Sequence, residues 1–562
     1  MMRLRLRSFL PLLICLIYST IAHSQLLNRT ELFTRADTLR GMLSPLRTCY
    51  NISYYHLDLK VDPGKKYIAG SNKFRFTATT DFRKLQFDLF NNLNIEKILF
   101  KGKVLKYTRE YNAVFVDFED TIKKGSSEEF TVYYSGKPVV AKNPPWDGGF
   151  IFTKTSRGKP WIAVSCQGLG ASSWWPNKDH QSDEVDSMMI SISTPSGLAD
   201  ISNGRLRSTE KLDDGYVRYN WFVSYPINNY NVTLNIADFS HFSDEYEGES
   251  GKLTLDYYVL PENLKKAGPH FASDVKPMLQ CFERWFGSYP FYRDGYKLIE
   301  TPYLGMEHQS AVAYGNRYQK GYLGKDLSET GLGLKWDYII IHESGHEWFG
   351  NNITSKDIAD MWIHEAFTTY SEGLFVECKE GKEAGAKYIR GQRSAILNDI
   401  PLIGPYDVNK EGSGDMYFKG SNMLHTLRSV INDDEKWRLI LKGLNKTFGL
   451  KTVTTADIIT YINKEAGRDL TPVFDQYLRF TSIPTLEIKK ARGGKNTLIY
   501  RWKATATGFN MPVKVRFTDN NKDKNNWFFI EPSGNWQSLD LPLSAHGIEA
   551  DTDNFYINTN LL

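Results

Sequence analysis

The feature that most constrains this chain is His342-Glu343-Ser344-Gly345-His346, an H-E-x-x-H sequence embedded in the apolar stretch DYIIIHESGHEWFG. Four residues make about one turn of helix, so both imidazoles project from one face and reach a common point. Neutral imidazole nitrogens at about 2.0–2.1 Å suit Zn²⁺. A structural zinc normally fills its fourth position with protein, whereas a catalytic zinc keeps that position for water. Glu343 lies one step round the helix from His342, beside the open position without joining the ligands. That placement suits a general base.

Two histidines need a third donor. The arrangement H-x-x-G-x-x-H would put a third histidine at residue 352, which is Asn352. The other known arrangement takes a glutamate from the following helix, and Glu365 in DMWIHEAFTTY stands 19 positions beyond His346. The adjacent His364 points about 100° away on that helix, which suits packing or a hydrogen bond behind the ligands.

A site of this kind needs a scaffold, and 562 residues allow three or four domains. From about residue 50 to 239, short runs such as YYHLDLKV, KFRFTAT and KLQFDLF alternate polar and apolar residues between Gly, Pro, Asn and Asp, the pattern of strands. Helical spacing then takes over in FASDVKPMLQCFERWFGSYPF, until Gly287 and Pro290 stop it, and in LKWDYIIIHESGHEWFG, DMWIHEAFTTYSEGLFVECK, EAGAKYIRGQRSAIL, SNMLHTLRSVI and EKWRLILKGLNKTFG. After residue 483 the strand pattern returns in TLIYRWKA, VKVRFTD and NWFFIEP. The expected organisation is a multidomain α+β chain. Residues 1–24 form an export signal, 25–242 an N-terminal β domain, 243–480 an α-rich catalytic domain, and 481–562 a C-terminal β-sandwich.

The first residues support that division: basic MMRLRLR, apolar FLPLLICLIYSTIA, then Ala22-His23-Ser24 as a small-x-small cleavage site. The apolar run is shorter than the roughly 20 residues of a spanning helix, so the mature chain is expected to lack a membrane span. Export to a periplasmic or extracellular space follows. The remaining cysteines, Cys49, Cys166, Cys281 and Cys378, match no zinc ribbon or redox pair, and their pairing stays open. With 69 Lys plus Arg against 65 Asp plus Glu and no dense basic run beyond the leader, nucleic acid is excluded as a partner. No oligomeric state follows from the sequence.

HESGHEWFGN followed by WIHEAFTTYSEGLF resembles the aminopeptidase N family of gluzincins, whose zinc site is H-E-x-x-H, eighteen residues, and Glu. Three further segments share the resemblance, in the family's order. TPYLGMEHQSAVAYG resembles its G-x-M-E-N segment, an exposed strand along which substrate lies; CQGLGASSWWPNKD resembles the β-domain segment that supplies an active-site Gln; MYFKG resembles the run whose Tyr faces the reacting carbonyl. The resemblance implies a saddle-like N-terminal β-sheet domain, a thermolysin-like catalytic domain, and one zinc per chain on His342, His346 and Glu365. It implies Glu343 as base, Tyr417 as donor to the oxyanion, and Gln167, Gly305, Met306, Glu307 and His308 as substrate-binding residues. Peptides with a free N-terminus are the implied substrates.

Two departures stand out. The family's G-x-M-E-N reads Leu304-Gly305-Met306-Glu307-His308, which changes size, hydrogen bonding and charge at its last position. Larger members carry a long helical C-terminal domain, whereas here β-type sequence follows the catalytic domain, an expectation of a cleft more open to longer peptides. Competing readings are a thermolysin-like endopeptidase and a noncatalytic peptide-binding homologue; the intact ligands, base and Tyr417 disfavour the second. Trp174, Trp175 and Tyr303 are candidate walls of the substrate pocket.

Overall fold

The computed structural model describes residues 32–491, 496–519 and 526–562; the expected export signal at 1–24 lies outside the described residues. Strands dominate up to Val259. The largest sheet has eight strands and centres on Tyr50–Asp62 and Tyr67–Ala78, paired antiparallel from Tyr50 opposite Ala78 to Asp62 opposite Tyr67. Side chains alternate across a strand, so Tyr55, Leu57, Leu59 and Val61 share one face, and all are fully buried. They meet Phe74, Phe130, Trp174 and Trp175 in one core. Trp174 and Trp175 are therefore core residues and not pocket walls. Neither residue has any exposure, and neither lines the cleft.

The helical region opens with a five-stranded sheet whose edge strand is Gly305–Met306, antiparallel to Val312–Tyr314. The helices that matter for the site are α1 (Val275–Phe286), α2 (Tyr338–Gly345), α3 (Trp362–Glu380) and α4 (Phe418–Ile431). Gly287 ends α1 at φ +94°, a conformation glycine adopts freely. α2 is shorter than its apolar run suggests. His346 still has helical angles, but the backbone then turns, and Gly350 at φ +131° lets it do so. A disulfide joins Cys281 on α1 to Cys378 on α3, and Cys49 and Cys166 are free and buried.

Beyond residue 484 lie two small sheets, one of four strands including Thr485–Lys490 and Thr497–Lys503, the other of three including Val513–Asp519 and Ala545–Ala550. Leu486, Trp502, Val513, Val515 and Ile548 bury into the same hydrophobic core as the helices. Tyr477 seals that junction by donating to the Tyr556 carbonyl at 2.6 Å. No helix among the described residues is long and apolar enough to cross a membrane.

Candidate active site

α2 is buried along its whole length, with Tyr338 to Ile341 apolar and His342, Glu343 and Ser344 the polar groups carried into the interior. Its start is fixed by Asp337, whose Oδ1 accepts from the Ile339 and Ile340 amides at 3.0 and 3.4 Å. One turn apart, the His342 and His346 rings sit edge to face with centroids 5.0 Å apart. α3 crosses them and offers Glu365 from its first turn. Glu365 Oε2 lies 3.6 Å from His342 Nε2 and 3.4 Å from His346 Nε2. That oxygen is buried and accepts no hydrogen bond.

These separations test the fit of a zinc ion. Ligand atoms on a tetrahedral zinc with bonds of about 2.0–2.1 Å stand about 3.3 Å apart, close to what the three donors show. The far side of each ring is occupied: His342 Nδ1 meets Glu372 Oε1 at 2.7 Å, and His346 Nδ1 meets the Phe349 carbonyl at 3.0 Å. Such partners hold the proton on Nδ1 and leave Nε2 as the donor to a metal. Glu372 is itself fixed by Tyr388 at 2.8 Å and Gln392 at 3.0 Å. The residues fit zinc. Burial works against charging His346, yet the Glu365 and Glu307 carboxylates outweigh it and raise the ring to about 9 without a metal. The same histidines hold Glu365 well below the usual carboxylate range despite its burial.

The ligands open onto a cleft of about 430 Å³ lined by residues of both the β and the helical regions. Glu343 faces it from α2. Burial raises Glu343 to about 7, with His342 opposing and Glu307 adding to the rise. Tyr417, at the start of α4, lays its ring over His342 with centroids 5.9 Å apart and lines the same cleft. Glu307 lies across from the ligands; one of its carboxylate oxygens accepts from Gln167 Nε2 at 2.6 Å and from the Tyr230 hydroxyl at 3.1 Å. One ligand atom each from Glu307, Glu343 and His346 falls within 4.8 Å of the others. Gly305 and Met306 form the adjoining cleft wall, with Ser165 donating to the Met306 sulfur at 3.4 Å.

His308 is the exception among the expected site residues. It is fully buried, does not line the cleft, and neither ring nitrogen has a partner. Glu307 and His308 lie past the end of the Gly305–Met306 strand, where the chain keeps Glu307 on the cleft and turns His308 into the protein interior. Its burial pushes the ring down to about 3 and keeps it neutral. Tyr303 likewise turns inward, donating to the Val164 carbonyl at 3.3 Å. His364 accepts the Ser355 amide at 2.8 Å, a hydrogen bond behind the ligands.

Sequence reasoning missed Glu372, Tyr230, Glu411 and Trp146. Glu372 was findable, because it stands seven residues, two turns, beyond Glu365 on one face of α3. Tyr230 comes from the 3-10 turn Asn229–Asn231 and Trp146 from a loop, and neither sequence carries a motif.

Residues 272–477 match the peptidase family M1 domain. A probable aminopeptidase 1 of Saccharolobus solfataricus is 22% identical over 72% of this chain and 52% of its own. Glutamyl aminopeptidase of Rattus norvegicus is 23% identical over 65% of this chain and 40% of its own. The chain spans about half the length of the first of the curated relatives it matches. An M1 zinc metallopeptidase from Deinococcus radiodurans shares the fold with a TM-score of 0.64 at 18% identity, over 81% of this chain and 97% of its own. A mutant of that enzyme bound to a Tyr-Ser-Ala substrate superposes with a TM-score of 0.65 at 18% identity, over 79% and 98%.

Proposed function

The chain belongs to the aminopeptidase N-like gluzincins, and from that membership and the geometry of the cleft we propose a zinc aminopeptidase that removes N-terminal residues from peptides. The observation that carries this reading is the Glu307 carboxylate, held by Gln167 and Tyr230 beside the His342–His346–Glu365 donor set. A free α-ammonium leaving water needs such an acceptor close to the scissile bond. The bound tripeptide named for the Deinococcus relative supports a peptide substrate here.

One zinc, held by His342, His346 and Glu365, would polarise the scissile carbonyl and lower the pKa of the attacking water. Glu343 takes the proton of that water and passes it to the leaving amine. The Tyr417 hydroxyl donates to the carbonyl oxygen as negative charge builds on it. Glu307 and Gln167 hold the ammonium, while the edge strand Gly305–Met306 leaves one side unpaired for the substrate backbone. Export through residues 1–24 belongs to the same proposal, and the Cys281–Cys378 disulfide supports an oxidising compartment.

The test is a panel of aminoacyl fluorogenic substrates, each free and N-acetylated, assayed with and without chelator. Free substrates are expected to turn over, acetylated ones to fail, and chelator to abolish activity until zinc is returned. Equal cleavage of acetylated substrates would instead favour an endopeptidase.

A further inference from the structure

We propose that Glu411 makes the cleft selective for a cationic side chain, lysine or arginine, on the N-terminal residue of the substrate. The proposal rests on the aminopeptidase reading and adds a specificity to it. Its first support is charge. Four carboxylates line the cleft, those of Glu307, Glu343, Glu365 and Glu411, and no lysine or arginine does. A zinc ion supplies two positive charges and the substrate ammonium one, so four negatives against three positives leave one carboxylate unmatched. Glu307, Glu343 and Glu365 each have a task at the ammonium or the metal. Glu411 has none.

The second support is the state of that carboxylate. Glu411 is exposed to the cleft and makes no hydrogen bond or ion pair among the described residues. An exposed carboxylate with no partner at the wall of a binding cleft is a ready acceptor for an ammonium or guanidinium group.

The third support is position. The loop before Glu411 packs so tightly on Gly41 that a Cβ there would lie 2.3 Å from the Asn409 amide nitrogen. Asn409 Nδ2 reaches the Gly168 carbonyl at 3.4 Å, and Arg40 reaches the same oxygen at 2.8 Å. Gly168 follows Gln167, which holds Glu307. Glu411 thereby stands on the cleft wall between Gly168, the neighbour of Gln167, and the stretch Gly414 to Tyr417, close enough to Glu365 to feel its charge, and the first side chain of a bound peptide is assigned to that wall.

The experiment compares Arg, Lys, Met and Glu aminomethylcoumarin substrates on the zinc-loaded wild type, Glu411→Gln and Glu411→Lys, with zinc content measured for each. The wild type is expected to favour Arg and Lys over Met. Glu411→Gln should lower the Arg-to-Met ratio of kcat/KM by about fivefold, the upper end for an ion pair open to solvent. Glu411→Lys should reverse the order of Arg and Glu substrates. An unchanged Arg-to-Met ratio in Glu411→Gln, or wild-type preference for Glu over Arg, would overturn the proposal. A parallel arm uses the dipeptides Met-Arg and Met-Ala; a change confined to that pair moves the contact to the second residue and overturns the assignment to the first. Absence of turnover on every free-amine substrate by zinc-loaded wild type would instead remove the aminopeptidase reading itself.

Discussion

At the scale of single residues, Gly305 and Glu343 depend on each other. A Cβ built on Gly305 would lie 2.7 Å from Glu343 Oε1 and 2.8 Å from Ile339 Cγ2. Both neighbours are pinned on the buried helix α2, so a methyl group has to displace the carboxylate. Gly305→Ala is expected to lower kcat by about a hundredfold, since small misplacement of a catalytic group has that cost, with zinc content and thermal unfolding little changed. Equal loss of zinc would point to a general collapse of the cleft. The same carboxylate sets the acid side of the pH profile. Burial raises Glu343 to about 7 against the pull of His342 and His346. A base works only when deprotonated, so kcat/KM should fall below about pH 7, measured with zinc in excess to exclude metal loss. A midpoint in the ordinary carboxylate range would mean that water reaches Glu343 more freely than its burial implies. The sequence made Glu343, His342, His346 and Glu365 legible because their spacing is local to two helices. His308 points into the interior because the chain leaves the strand after Met306, and a motif does not encode which way a side chain turns there.

At the scale of elements, α3 does more than supply one ligand. Glu365 and Glu372 stand two turns apart on one stripe, so a single helix fixes both a metal donor and the orientation of His342. Tyr388 and Gln392 hold Glu372 in turn. Glu372→Ala is expected to weaken zinc binding by about 10–100-fold, read by competition with a chelator of known affinity, and excess zinc should restore most of the activity. Unchanged affinity would show that packing alone orients the ring. The helices around the site were legible from apolar spacing, but Arg35–Gly41, Pro45–Thr48, Leu264–Ala272, Thr455–Ala466 and Thr471–Arg479 were not. Thr455–Ala466 carried its signal at the ends: Thr454 and Asp457 form a reciprocal cap at its start, and Gly467 at φ +71° closes it.

At the scale of the whole molecule, the cleft belongs to no single region. Gln167 and Tyr230 come from the strand-rich part, the metal donors from the helices, and the two parts keep largely separate hydrophobic cores. The order of regions could be read from the change in periodicity. How they lock together could not, because the lock consists of scattered polar side chains with no pattern, among them Asn231, Asn351, Lys297 and Asp294. Asn351, at the end of HESGHEWFGN, donates to the Glu307 carbonyl at 2.8 Å and accepts from Asn231 Nδ2 at 2.9 Å. One buried side chain thus ties the segment after the metal helix to the amine acceptor just past the edge strand and to the strand-rich region. If that tie sets the distance between ammonium and metal, removing it should impair binding of the free amine more than the chemistry. Asn351→Ala is expected to raise KM for free aminoacyl substrates by about tenfold, the worth of a buried hydrogen bond left unpaired, with a smaller fall in kcat and full zinc content. A fall confined to kcat would place the effect of Asn351 on His346 and the metal side instead.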